Sequence, residues 1–203
     1  EELLADQDKE KVDGISFSGQ MHGMVILGSD DKVIRPAILW NDGRTQLECD
    51  YLNKEIGQEK ISSYTGNMAL TGFTAPKLLW VRKNEPENFK KITKVMLPKD
   101  FIAYRLSGVH STDVSDASGM LLFDVKNKCW SKEMLEIVGL NKGQMAKVYE
   151  SYETVGNIKE GIANKLGLRH DVKIVAGGGD QAVASVGTGT VGHGMCNVSL
   201  GTS

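Results

Sequence analysis

Gly177-Gly178-Gly179-Asp180 places a carboxylate directly after three glycines. Glycines leave room for another molecule to approach the backbone, and a carboxylate there can accept a hydrogen bond or a proton from it. Val172 to Ala176, just before, is a short β-branched run with the pattern of a buried strand. Ala182, Val183, Ala184 and Val186, just after, read as the first turns of a helix with Asp180 at its N-cap. Two roles are open to Asp180. It can cap its helix, or it can serve a site at the carboxyl edge of the sheet, where open α/β sheets bind ligands. Capping does not require three glycines, which favours the site.

A second group lies near the start. In Ser18-Gly-Gln-Met-His-Gly23, two glycines bracket Gln20, Met21 and His22 in a tight connection between strands. His22 is either a satisfied structural histidine or a ligand contact, and the flanking glycines favour the contact. Asn41-Asp42-Gly43-Arg44 is a turn following a strand-like run. Asp42 and Arg44 there could form a surface ion pair of small worth or line the same edge as His22. In the small, polar stretch 110–119, Asp113 and Asp116 read most simply as turn formers.

The elements that must carry these residues alternate. Strands are expected over Val12 to Phe17, Met24 to Leu27 and Val33 to Trp40, the last two joined by the turn at Gly28 to Asp31. A helix with Leu47, Tyr51, Leu52 and Ile56 on one face should stop at Gly57. Thr74 should cap the next helix, with Pro76 in its first turn and Asn84-Glu-Pro86 at its end. Val95 to Leu97 then leads through Pro98 into a helix closed by Gly108. Met120 to Val125 reads as a strand, Ser131 to Val138 as a capped helix closed by Gly139, and Gly156 to Leu166 as a polar-faced helix. Alternating strands and helices predict a layered α/β domain with a mostly parallel or mixed sheet.

The 203 residues suffice for one good-sized core. A net charge of −2 gives no reason to expect a polyanion partner, and 6% aromatic residues argue against a stacking platform for nucleic acid. Cys49, Cys129 and Cys196 are odd in number and far apart, which fits reduced thiols in the cytoplasm better than disulfides or zinc. No run is long and apolar enough to span a membrane, and the acidic start is unlike a signal peptide. A cytoplasmic chain without nucleic-acid or membrane partners is therefore expected. Both ends read as interruptions: residues 1–11 resemble the tail of a helix, and the chain ends on a strand entering a glycine turn.

Taken in order, Ser18-Gly-Gln-Met-His-Gly23, Ala37-Ile-Leu-Trp-Asn-Asp-Gly-Arg44, Gly72-Phe-Thr-Ala-Pro-Lys-Leu-Leu-Trp80, Leu97-Pro-Lys-Asp100, Ser115-Asp-Ala-Ser118, Gly177-Gly-Gly-Asp180 and Ser199-Leu-Gly-Thr-Ser203 resemble the FGGY family of carbohydrate kinases, and within it most closely the xylulokinases. The resemblance implies a ribonuclease H-like (actin-like ATPase) fold, a mixed sheet flanked by helices, incomplete here at its start. Residues 1–190 would form the N-terminal sugar-binding domain, and 191–203 the beginning of the C-terminal nucleotide-binding domain. By resemblance, Asp180 matches the general base and Met21 with His22 the pair that touches the sugar. Gln181 matches a further substrate contact, Asp42 and Arg44 fall in a matching motif, and Gly201 with Thr202 match a nucleotide phosphate-binding turn.

The implied reaction moves the γ-phosphoryl group of ATP, with Mg2+, to D-xylulose. Other implied acceptors are glycerol, ribulose or gluconate, and a module that only binds sugar is a further alternative. A homodimer is compatible with the sequence. In a loose phosphoryl-transfer transition state, positioning and charge stabilisation dominate. A carboxylate orients the attacking hydroxyl and takes its proton late, so an ordinary aspartate suffices. The family's opening Asp-x-Gly-Thr hairpin and most of its second domain have no match in the chain, so alone it should hold half a cleft and be inactive.

Overall fold

The computed structural model describes residues 4–200. Two short strands, β1 (Gly14–Ile15) and β2 (Ser18–Gly19), precede β3 (Val25–Leu27). A helical run follows: α1 (Gln46–Asp50), a π-helical stretch Tyr51–Gly57, and α2 (Gln58–Thr65). Next come α3 (Thr74–Asn84), α4 (Pro86–Phe89), β4 (Lys94–Met96) and α5 (Pro98–Ser107). The chain continues through β5 (Ser111–Asp113), the single turn α6 (Val114–Ala117), the paired β6 (Phe123–Asp124) and β7 (Cys129–Trp130), and α7 (Lys132–Val138). It ends with β8 (Lys147–Tyr149), β9 (Thr154–Asn157), α8 (Glu160–Leu166), β10 (Lys173–Val175), β11 (Gly178–Gly179) and α9 (Asp180–Gly187). Parallel and antiparallel pairs mix, as the alternation predicts. No helix among the described residues is long and apolar enough to cross a membrane.

One strand pair organises the rest. β1 runs parallel to β10, with Ile15 opposite Ile174, and β2 runs parallel to β11, with Gly19 opposite Gly179. Between these registers residues 16 and 17 face residues 175 to 177, so the second strand carries one extra residue, a bulge. Gly177 absorbs it at φ +76°, and a Cβ there would lie 2.1 Å from the Phe17 carbonyl oxygen. Only glycine fits both demands. The two stretches bearing Met21-His22 and Asp180 therefore leave neighbouring parallel strands at the same end.

Two apolar cores flank this pair. One gathers Met24, Ile26, Leu52, Leu78, Leu97, Phe123 and Met134, and the other Val155, Ile158, Val172, Ile174 and Ala176. α5 lies against β2, β5, β9 and β10. Its buried face carries Lys99, Asp100 and Ala103.

Several expectations are corrected. Val33 to Trp40 forms no strand; only Leu27–Val33 and Met24–Ile38 bridge, because Pro36 lacks a donor and breaks the ladder. Gly57, at φ +101°, ends the stretch that begins with α1 as expected, but α2 starts directly after it and runs to the left-handed cap Gly66 at φ +74°. The π-helical turns shift the apolar face, so Cys49 and Leu52 are buried while Leu47 is 69% exposed. Thr74 is the first residue of α3 rather than its cap, and its hydroxyl bonds elsewhere. Only Phe123–Asp124 of the run Met120 to Val125 is paired, since Leu121 turns at φ +58°. Gly156 lies in β9, and the helix after it starts at Glu160. Asp180 sits inside α9, whose N-cap is Gly179.

Candidate active site

Met21 and His22 occupy the connection between β2 and β3, pressed onto two glycines from other elements. A Cβ on Gly179 would lie 2.9 Å from Met21 Cγ, and one on Gly119 would lie 2.6 Å from His22 Cε1 and Nδ1. Neither glycine could carry even a methyl group without displacing these side chains. Met21 thus lies over the peptide preceding Asp180.

His22 takes φ +68°, a left-handed conformation that costs an L-residue roughly 1–2 kcal/mol. Three hydrogen bonds hold it there. Lys77 Nζ donates to its carbonyl at 2.8 Å and Thr74 Oγ1 at 3.1 Å, and its own Nδ1 meets the Gly119 carbonyl at 2.8 Å. The same ammonium donates to the Gly72 carbonyl at 2.6 Å. Because a carbonyl only accepts, Nδ1 carries the ring proton. Burial lowers the imidazole pKa, which keeps the ring neutral and leaves Nε2 as an acceptor. Phe73 packs on the ring at 4.6 Å between centroids. Lys77 is wholly buried and makes no ion pair among the described residues; burial pushes its pKa down to about 8.

Asp180 stands partly buried at the start of α9, and its Oδ1 accepts the Gln181 amide at 2.9 Å. Its charge acts on both His22 and Asp116. Gln181 is exposed beside it. Asp42 and Arg44 form a bidentate pair, with Arg44 Nη2 at 2.7 Å from Asp42 Oδ2 and the guanidinium over the Trp80 ring at 4.8 Å. They lie at the rim: their turn reaches the His22 side through Gly72, packed on the Trp40 carbonyl. The field of Asp42 reaches Lys77, but neither Asp42 nor Arg44 touches His22. Gly201 and Thr202 lie outside the described residues.

Asp113 and Asp116 are not mere turn formers. They are fully buried with Lys99 and Asp100 directly behind the site. Lys99 Nζ lies 2.7 Å from Asp100 Oδ1, 3.0 Å from Asp113 Oδ1 and 3.8 Å from Asp116 Oδ2, and it donates to the Ala176 carbonyl at 3.2 Å. Burial alone would lower the Lys99 pKa, but the three carboxyls outweigh it and hold the ammonium charged. One cation cannot neutralise three buried carboxylates. Burial, then the neighbouring Asp100, pushes Asp116 up to about 8, so it keeps its proton at neutral pH.

Sequence reasoning missed this cluster and Lys77. The available signal was charge within segments that otherwise face the core: Lys99-Asp100 in the first turn of α5, and Lys77 among Ala75, Leu78 and Leu79. Among the described residues no three His, Cys, Asp or Glu side chains could hold a metal ion. The buried aspartates are already gathered on an ammonium, so they do not fit Mg2+.

Residues 1–187 match the model of the FGGY family of carbohydrate kinases, N-terminal domain. Xylulose kinase from Escherichia coli (strain K12) is 44% identical over 201 residues, covering 98% of this chain and 41% of that protein. A crystal structure of a xyloylose kinase from Brucella ovis superposes with a TM-score of 0.84 at 41% identity, covering 88% of this chain and 36% of that one. Structures from Lactobacillus acidophilus of a ligand-bound xylulose kinase and of a gluconate kinase each give 0.88 at 28% identity, covering 93% and 38%. The chain spans about two fifths of the length of the curated relatives it matches.

Proposed function

The chain belongs to the FGGY family of carbohydrate kinases, and from that premise we propose that the full-length protein transfers the γ-phosphoryl group of ATP to D-xylulose, giving D-xylulose 5-phosphate. The fold that goes with the family is the ribonuclease H-like, actin-like α/β domain with a mixed sheet. The observation that carries the activity is the convergence of Asp180, Met21 and His22 at the carboxyl ends of parallel strands, where substrates of α/β proteins bind.

In this reading the sugar lies over Met21 and His22. Neutral His22 accepts a hydrogen bond from a sugar hydroxyl at Nε2, and Gln181 binds another hydroxyl from the first turn of α9. Asp180 orients the attacking hydroxyl and takes its proton as the oxygen bonds to phosphorus. The rigid seat of Met21 and His22 supplies the near-attack geometry. Asp42 and Arg44 shape the rim. Gly201 and Thr202 are assigned to a phosphate-binding turn, with residues 191–203 opening the nucleotide-binding domain after a sugar domain of 1–190. Mg2+ arrives with ATP as part of the substrate, and among the described residues no group of three or more His, Cys, Asp or Glu side chains could hold it independently. A cytoplasmic location accords with ATP as substrate and with three free thiols.

A coupled assay of the full-length protein over ketoses, glycerol and gluconate tests the substrate, and a preference for glycerol or gluconate would overturn D-xylulose. Asp180→Asn tests the base. Its kcat should fall by roughly 10² to 10⁴ with sugar Kd much less affected. Melting should barely change, because among the described residues the carboxylate's structural bond is to the adjacent amide. Near wild-type kcat in that variant would end the assignment.

A further inference from the structure

We propose that Ser115, held by Asp113, is a positioning residue that fixes Asp180 through the amide of Gly179; this rests on the reading of Asp180 as the base. The segment Ala176 to Gly179 carries Asp180 on three glycines, and glycine backbone is the softest available. A base mounted there keeps its geometry only if the backbone is tied down from outside. The fold ties it at both ends. Lys99 donates to the Ala176 carbonyl at 3.2 Å, and the Gly179 amide donates to Ser115 Oγ at 3.1 Å.

The serine is oriented for that task. Its hydroxyl donates to Asp113 Oδ2 at 2.5 Å, which commits the hydrogen and turns the lone pairs toward Gly179. The same carboxylate oxygen accepts the Ser115 amide at 2.9 Å and Ser151 Oγ at 2.8 Å, while the other oxygen lies 3.0 Å from Lys99 Nζ. Lys99 therefore belongs to both ties, one directly and one through Asp113 and Ser115. Asp113 caps α6 with these bonds, but a cap needs only the Ser115 amide. The bond that the hydroxyl oxygen accepts from the Gly179 amide crosses to another strand and serves the segment bearing Asp180.

The test is a double-mutant cycle in the full-length protein, with kcat and sugar KM measured for Ser115→Ala, Asp180→Asn and the pair. A misplaced base costs kcat, so Ser115→Ala should lower kcat roughly 10- to 100-fold with sugar KM changed less than about threefold. Ser115→Thr, which keeps an acceptor, should recover most of the loss. In the Asp180→Asn background Ser115→Ala should cost nothing further. Amide exchange at Gly179 and Asp180 should quicken at least tenfold while Ile174 is unchanged. If Ser115→Ala fails to fold, Ser115→Cys, similar in size and a poor acceptor, carries the same expectations. Losses that multiply in the double variant, or a Ser115 variant with wild-type kcat, overturn the positioning role alone. Near wild-type kcat in Asp180→Asn overturns the base and the positioning role together.

Discussion

At the scale of single residues, two buried ionisable groups make opposite demands. Asp116 has a native pKa near 8 against about 3.9 unfolded, so across roughly pH 4 to 8 the native state holds a proton that the unfolded chain has lost. Its contribution to stability therefore falls as pH rises through that window. Asp116→Asn should flatten the decline and exceed the parent's stability at pH 8 by at least about 1 kcal/mol, less than one pKa unit's worth. Urea midpoints at pH 5 and pH 8 check this; an unchanged slope would refute it. Lys77, lowered to about 8 against about 10.4 unfolded, gives the reverse slope above pH 8. Its kinetic role is separable. Lys77→Met strips a donor from the His22 carbonyl and loosens a strained residue, so sugar KM should rise roughly 5- to 30-fold, equivalent to 1–2 kcal/mol. The change in kcat should be smaller. Asp180 and His22 were legible as candidates because glycines flank them. The Lys99 cluster was not, because its partners come from α5, β5 and α6 and no local pattern reports such a meeting.

At the scale of elements, the fold was legible wherever one local signal dominated. Ser131 caps α7 through the Met134 amide, Gly139 and Gly108 end their helices, and the strand before Gly177 stands where its β-branched run predicts. It was illegible where long-range packing overruled propensity, as in the π-helical continuation past Tyr51 and the unpaired run around Pro36. The glycines separate the two cases by experiment. Gly119→Ala places a methyl 2.6 Å from the His22 ring, so sugar KM should rise at least about tenfold and stability drop by about 1–3 kcal/mol. Gly161→Ala in α8 meets nothing within 4 Å and should add roughly 0.5–1 kcal/mol with kinetics untouched. Equal kinetic effects of the two substitutions, read by Tm and steady-state assays, would deny the glycine seat its role.

At the scale of the whole molecule, the proposed base Asp180 sits where the packed part of the fold gives out. Ile174 in β10 and Ala176 just after it are anchored in a core, whereas α9, which follows β11, buries no residue. Val183, Val186, Val191, Met195 and Val198 are all exposed, and Leu200 is 93% exposed. The hydrogen bonds there are local, such as Asn197 Nδ2 to Ser185 Oγ at 3.1 Å. Exposed large apolar side chains concentrated in one segment accord with an interface. The chain spans about two fifths of the length of its curated relatives, and the proposed nucleotide-binding domain is the natural cover. On the proposed two-domain division Asp180 stands at a junction, with its rear fixed by the Lys99 cluster and its front open to the second domain. Amide exchange should then be fast over residues 183–200 in the isolated chain and slowed at least tenfold in the full-length protein, with Ile174 protected in both. Equally fast exchange of 183–200 in the full-length protein would mean that no domain covers this face, and the two-domain cleft would have to be abandoned.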